Sequence, residues 1–199
     1  MKSIIFDVGG VLVDYIRDDA LYPIAKVCRA GTNIEPVLHI MASLNLSGGY
    51  NTLDDFYNEL VAQLGFFESK EKLLEYWIGS LSKRDWVDEL LSDLAKQTTI
   101  YILSDTNHGH WSHIASHLIN LQHFERIFLS HELLMMKTSD HVFHHVLREI
   151  DQKADQCLFI DDTFSNIEFA QSCGLKTHHY QDRNKMVSAI KDHCAPVTM

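Results

Sequence analysis

The sequence predicts an α/β fold: a parallel sheet with helices on its faces, interrupted after its first strand by a block of helices. Three observations predict it. Residues 3–6 form a short apolar run closed by Asp7 and Gly9-Gly10, as in a strand buried on both faces. From about residue 14 to residue 81, apolar residues recur at three- and four-residue spacing. From residue 86 onward, strand-like runs alternate with helical segments of ten or so residues, the pattern of βαβ units. A chain of 199 residues, 46% hydrophobic and 22% charged, has the length and composition for one core with an inserted subdomain.

In the inserted block, helices are expected over residues 20–30, 34–44, 53–64 and 70–81. Gly31-Thr32, Ser47-Gly48-Gly49 and Gly65 separate them, and Pro36 falls in a first turn, where proline is tolerated. No strand is expected there. Beyond it, helices are expected over 86–94, 113–121, 141–150, 165–172 and 184–193, the fourth stopped by Gly174. Strands are expected over 99–103, 126–129, 157–160 and 175–178. The chain thus divides into a core of residues 1–13 plus 84–199 and an inserted unit of residues 14–83.

Composition removes several classes of function. Lys plus Arg number 17 against 27 Asp plus Glu, a formal charge of −10 that argues against a nucleic-acid or anionic-membrane surface. No apolar run is long enough to span a membrane. The N-terminal stretch carries Asp7 and Asp14 and lacks a small-residue cleavage site, so it reads as a buried strand and not a signal peptide. Cys28, Cys157, Cys173 and Cys194 form no Cys-x-x-Cys pair, which fits reduced thiols in a cytoplasmic protein.

Ligands of open parallel sheets bind beyond the carboxyl ends of the strands. The residues expected there are Asp7, Ser104, Lys137 and the pair Asp161-Asp162. Clustered carboxylates repel unless a cation sits among them, and oxygen ligands with room for water suit Mg²⁺. Lys137 and the cation would neutralise a phosphoryl group, Ser104 would donate to it, and Asp7 could attack phosphorus.

These segments resemble the four motifs of the haloacid dehalogenase-like hydrolase superfamily, over essentially the whole chain. Phe6-Asp7-Val8-Gly9-Gly10-Val11-Leu12 is similar to the first motif, Leu103-Ser104-Asp105-Thr106-Asn107 to the second and Lys137 to the third. Phe159-Ile160-Asp161-Asp162 with Asn166-Ile167 is similar to the fourth. The resemblance implies a Rossmann-like core with a mobile helical cap, and a small phosphorylated metabolite as substrate. It makes Asp7 the nucleophile and a metal ligand, Gly9 a carbonyl ligand, and Asp161 and Asp162 the metal-site acids. Ser104 and Lys137 become the phosphate-binding pair, with Asp105 beside them in the substrate site. Gly49, seven residues before Phe56, resembles a cap pattern of small sugar-phosphate phosphatases.

Three positions depart from the family pattern. Gly9 stands where most phosphatases of the superfamily carry an aspartate that protonates the leaving group, help worth roughly 10²–10⁴-fold in rate. Asp105 stands where relatives often have Asn; pointing inward it would repel a dianion, and pointing away it would cap residues 106–110. Thr138 replaces a common proline and is expected to be neutral. Two other readings stay open: a phosphate-binding protein without turnover, and a dehalogenase, against which the Asp161-Asp162 pair argues. His108, His110, His113 and His117 are expected on an exposed polar helix, with the 113/117 pair a rival metal site and His108 a substitute acid. Trp77, Trp86 and Trp111 are expected to serve in packing.

Overall fold

The computed structural model describes residues 2–29, 31 and 33–195. Five parallel strands form the central sheet: β1 (Ser3–Phe6), β4 (Thr99–Ser104), β5 (Arg126–Leu129), β6 (Cys157–Asp161) and β7 (Lys176–His179), in the order β5-β4-β1-β6-β7. Strand β1 lies at the centre, with Phe6 level with Ile102 on one side and Ile160 on the other. The chemistry-bearing ends of three adjacent strands are therefore set side by side.

Alternation along these strands sorts the core into two layers. Ile4, Phe6, Ile100, Ile102, Leu158 and Ile160 pack with Val87 and Leu91 of α5 (Val87–Ala95) and with Met186 and Ile190 of α10 (Arg183–Cys194). Ile5, Tyr101, Leu103 and Phe159 face the other way, onto α8 (Asp140–Glu149) and α9 (Phe164–Ser172). Full burial of each such side chain stabilises by roughly 1.5–3 kcal/mol.

The inserted unit holds α1 (Arg17–Lys26), α2 (Glu35–Leu44), α3 (Leu53–Glu59) and α4 (Lys70–Ile78). It has an apolar cluster of its own, built on Leu21, Ile24, Val37, Phe56, Leu73 and Trp77. The predicted helix over residues 20–30 ends on Ala30, which with Thr32 lies outside the described residues.

The block is not free of strands, contrary to expectation. β2 (Val13–Tyr15) and β3 (Leu81–Lys83) pair antiparallel where the unit leaves and rejoins the sheet. Each has three residues, too few to show a period of two. Arg84 clamps this ribbon: its guanidinium bonds Asp14 at 2.7 and 2.8 Å, the Val11 carbonyl at 2.6 Å and the Tyr180 hydroxyl at 2.7 Å. The helix expected over 113–121 begins earlier, as α6 (His108–His113), and relaxes into a π-helical turn at Ile114–Leu118. A short helix, α7 (Ser130–Leu133), follows β5 without having been expected.

Candidate active site

Directly after Asp7 the chain folds back on itself. The Val8 carbonyl accepts from the N–H groups of Val11, Leu12 and Val13 at 3.2, 2.8 and 2.9 Å. Gly10 permits this turn with a φ of +77°, and a Cβ there would stand 2.1 Å from Asp162 Oδ2. The Asp162 carboxylate thus rests on the Gly10 backbone, which ties the first strand-end loop to the fourth.

Lys137 reaches this point from the loop after α7 and is 1% exposed. Its Nζ donates to Asp161 Oδ2 at 2.6 Å and lies 2.7 Å from Asp7 Oδ1. Asp161 is wholly buried; its oxygens also accept from the Thr163 N–H at 2.7 Å and from the Asn166 amide at 3.1 and 3.2 Å. Both Asp105 oxygens accept from the Lys137 N–H, at 3.1 and 3.2 Å. Asp105 therefore does not cap the following helix. Asn107 does, accepting from the His110 N–H at 3.1 Å. The lysine loop leaves α7 through Leu134 at φ +54°, a strained conformation for a leucine.

The electrostatics arise from burial. Desolvation pushes the Asp7 carboxyl up, to about 7, against the pull of Lys137 and with the help of the Asp161 charge. Desolvation raises Asp105 too, against the Lys137 charge and hydrogen bond, and raises Asp162 alongside the Asp161 charge. Burial alone would lower Lys137, but Asp7, Asp161 and Asp105 outweigh it and hold the ammonium above its ordinary range. Asp7, Asp161 and Asp162 each offer a carboxylate oxygen within 4.8 Å of the other two. One lysine cannot balance three carboxylates, so the donor set fits a hard divalent cation.

A cavity of about 280 Å³ opens between the sheet edge and the helical unit. Gly9, Ser104 and Asp105 line it from the sheet side; Met41, Leu46 and Trp77 line it from the helices. The expectation of an exposed histidine stretch fails at His110, which is buried in this wall. Its ring stacks on Trp77 at 4.8 Å, and its Nε2 lies 3.0 Å from the Trp77 carbonyl. Burial pushes the imidazole down, to about 4. Trp77 does more than pack, because its indole N–H donates to Asn107 Oδ1 at 3.2 Å.

His108 is not aimed at Ser104 and Gly9. It is exposed and lines a second cavity, of about 510 Å³, together with Gly49 and His131. The cause is helical geometry: with Asn107 as cap, positions 108 and 110 lie on nearly opposite sides of α6. His113 and His117 stack at 4.8 Å, but they belong to no three-ligand group among the described residues. Gly49 sits at φ +79° where a Cβ would stand 2.4 Å from the His131 carbonyl oxygen, and Phe56 packs on Trp77 at 5.3 Å.

Sequence reasoning missed the network of Trp77, Asn107 and His110 and the junction at Ser130. The buried Ser130 hydroxyl accepts from the Thr106 N–H at 2.9 Å and lies 2.5 Å from the Ser47 carbonyl oxygen. No sequence signal marks the Trp77–Asn107 and Ser130–Ser47 pairings, which join residues far apart in the chain.

The family model for haloacid dehalogenase-like hydrolases matches residues 1–174. The chain is 27% identical over 187 residues to a D-ribitol-5-phosphate phosphatase of Bacteroides thetaiotaomicron, covering 89% of this chain and 90% of that protein. It is 25% identical over 183 residues to the sesquiterpene phosphatase astK of Aspergillus oryzae, covering 91% and 90%. In fold it matches a haloacid dehalogenase family enzyme of Bacteroides thetaiotaomicron, crystallised with magnesium and inorganic phosphate, with a TM-score of 0.83. That match has 24% identity and covers 94% of this chain and 98% of the other. The chain belongs to the haloacid dehalogenase-like hydrolases.

Proposed function

We propose that the protein is a magnesium-dependent phosphomonoesterase that acts on a small phosphorylated metabolite and carries the phosphoryl group transiently on Asp7. The observation behind this reading is the buried Lys137 ammonium bridging Asp7 and Asp161, with Asp162 beside them. The two curated relatives are named for different alcohols, a polyol phosphate and a sesquiterpene, and share the word phosphatase.

Asp7, the Gly9 carbonyl and Asp162, with Asp161 adjacent, would hold the magnesium, which when bound offsets negative charge on the phosphoryl oxygens. The chain's own groups do the rest. The Asp7 carboxylate attacks phosphorus, the bond to the alcohol oxygen breaks, and that oxygen keeps the electron pair. Lys137 has three N–H donors; two are directed at Asp7 and Asp161, which leaves one for a phosphoryl oxygen. Ser104 donates a second hydrogen bond. Asp105 holds the Lys137 backbone in place and so serves the substrate indirectly. Water then attacks the aspartyl phosphate, releasing phosphate and restoring the carboxylate. With Gly9 in place of an acid, the leaving oxygen takes its proton from solvent.

Residues 14–83 act as a cap on the core formed by residues 1–13 and 84–199, and move about the ribbon of β2 and β3. The cap's separate apolar cluster supports this division. The four free thiols support a reducing, cytoplasmic setting. No helix among the described residues is long and apolar enough to cross a membrane.

Phosphate release from sugar phosphates, nucleotides and alkyl phosphates, with and without Mg²⁺, tests the reading. Release is expected only with Mg²⁺. Binding of inorganic phosphate without release would point to a binding protein, and halide release from haloacids to a dehalogenase.

A further inference from the structure

The wall of the reaction cavity bears on the alcohol that carries the phosphate. Apolar side chains line much of it, among them Met41, Leu46, Trp77, Leu81, Ile114 and Met136. Among the described residues lining it there is no Lys or Arg, and the helical unit contributes no charged side chain. Three polar residues of the wall, Asp105, Asn107 and His110, already have partners within the protein, and the small hydroxyls of Ser47, Ser104 and Thr106 also line it. Asn107 Oδ1 accepts from the Trp77 indole and the His110 N–H, and its amide nitrogen lies 3.4 Å from His110 Nδ1. The other ring nitrogen of His110 faces the Trp77 carbonyl, and both Asp105 oxygens face the Lys137 N–H. Tyr15 and Asn45 are exposed, where water serves them.

A polyol entering this space would give up water at each hydroxyl and find no charged partner on the helical side, only small hydroxyls and the exposed Tyr15 and Asn45. A hydrocarbon group would give up nothing comparable and would cover apolar wall. From this we infer that the substrate is a phosphate monoester of a compact, largely apolar alcohol, aliphatic or aromatic, and not of a polyol or sugar. The inference rests on the phosphomonoesterase reading and narrows it. The volume of about 280 Å³ sits at the small end of ligand pockets, which sets the size as compact.

Primary alkyl phosphates from ethyl to hexyl, compared with polyol phosphates of equal carbon number, isolate the wall once rates are corrected for the more acidic polyol leaving groups. With Mg²⁺, kcat/KM is expected to rise roughly fourfold per methylene until the cavity is full. Each polyol ester is expected to fall at least about tenfold below its alkyl counterpart, the cost of one or more unpaired hydroxyls. Met41→Gln is expected to flatten the alkyl series. A flat wild-type series, or polyol esters equal to or better than alkyl esters, overturns the preference and leaves the phosphatase reading standing. Calorimetry with alkylphosphonates and Mg²⁺ separates the opposite case. If no ester is hydrolysed but binding tightens in the same order with chain length, the preference stands and the phosphatase reading falls. Binding that ignores chain length overturns the preference.

Discussion

At Gly9 the acid is missing but the room for one is not. The backbone there is outside the left-handed region, and an added Cβ would meet nothing nearer than Tyr15 Cβ at 3.8 Å. Gly9→Asp is therefore expected to fold and to raise turnover of alkyl phosphates by about 10²-fold, while changing nitrophenyl phosphate turnover little. Steady-state rates across leaving groups check this, and an unchanged dependence on leaving-group pKa would remove Gly9 from the acid's place. His110 makes a second prediction. Burial dominates its titration, with the Trp77 carbonyl opposing and His113 assisting, and the folded pKa of about 4 lies below the ordinary 6.5. The unfolded chain binds the extra proton between those values, so stability is fully present above about 6.5 and is lost as pH falls towards 4. The loss attributable to His110 is about 3 kcal/mol. Urea melts from about pH 7 to pH 4 should show it, and His110→Gln, which keeps a donor for the Trp77 carbonyl, should reduce the slope. A parallel slope in that variant would mean other groups carry the pH dependence.

Among the elements, Ser130, at the start of α7, joins Thr106 of the second strand-end loop to Ser47 of the inserted helical unit. Ser130→Ala leaves the buried Thr106 N–H without its acceptor, a loss of about 1–3 kcal/mol. The expected result is a lower urea midpoint together with faster hydrogen exchange in residues 45–49. Unchanged exchange there would show that the inserted unit is held elsewhere, with the Arg84 clamp the next place to look. The elements themselves were largely legible. All five sheet strands stand within a residue of their predicted bounds at either end, because buried parallel strands read as continuous apolar runs; β7 alone is displaced as a whole, by one residue. Strands β2 and β3 were not legible, since three residues carry no period and their pairing bridges the whole insertion. The start of α6 was misplaced because its cap, Asn107, lies inside a motif that reads as chemistry.

For the molecule as a whole, the sheet order places three strand ends together, and this part of the site was readable from the residues at the carboxyl end of each strand. Asp7, Asp161 and Lys137 do meet. The orientation of Asp105 and the burial of His110 were not readable, because they depend on which way a loop turns after its strand. Three carboxylates around one lysine offer more negative charge than one ammonium offsets. Mg²⁺ at about a hundred times its Kd is expected to stabilise the fold by roughly 2.7 kcal/mol, as a rise in Tm that Asp162→Ala removes. A rise of equal size in that variant would place the metal elsewhere. The most direct test is to quench a Mg²⁺-supported reaction in acid and examine the peptide carrying Asp7 by mass spectrometry. One added phosphoryl group on Asp7 is expected in the native protein, with none and no turnover in Asp7→Asn; undiminished phosphate release by Asp7→Asn would contradict phosphoryl transfer through this carboxylate.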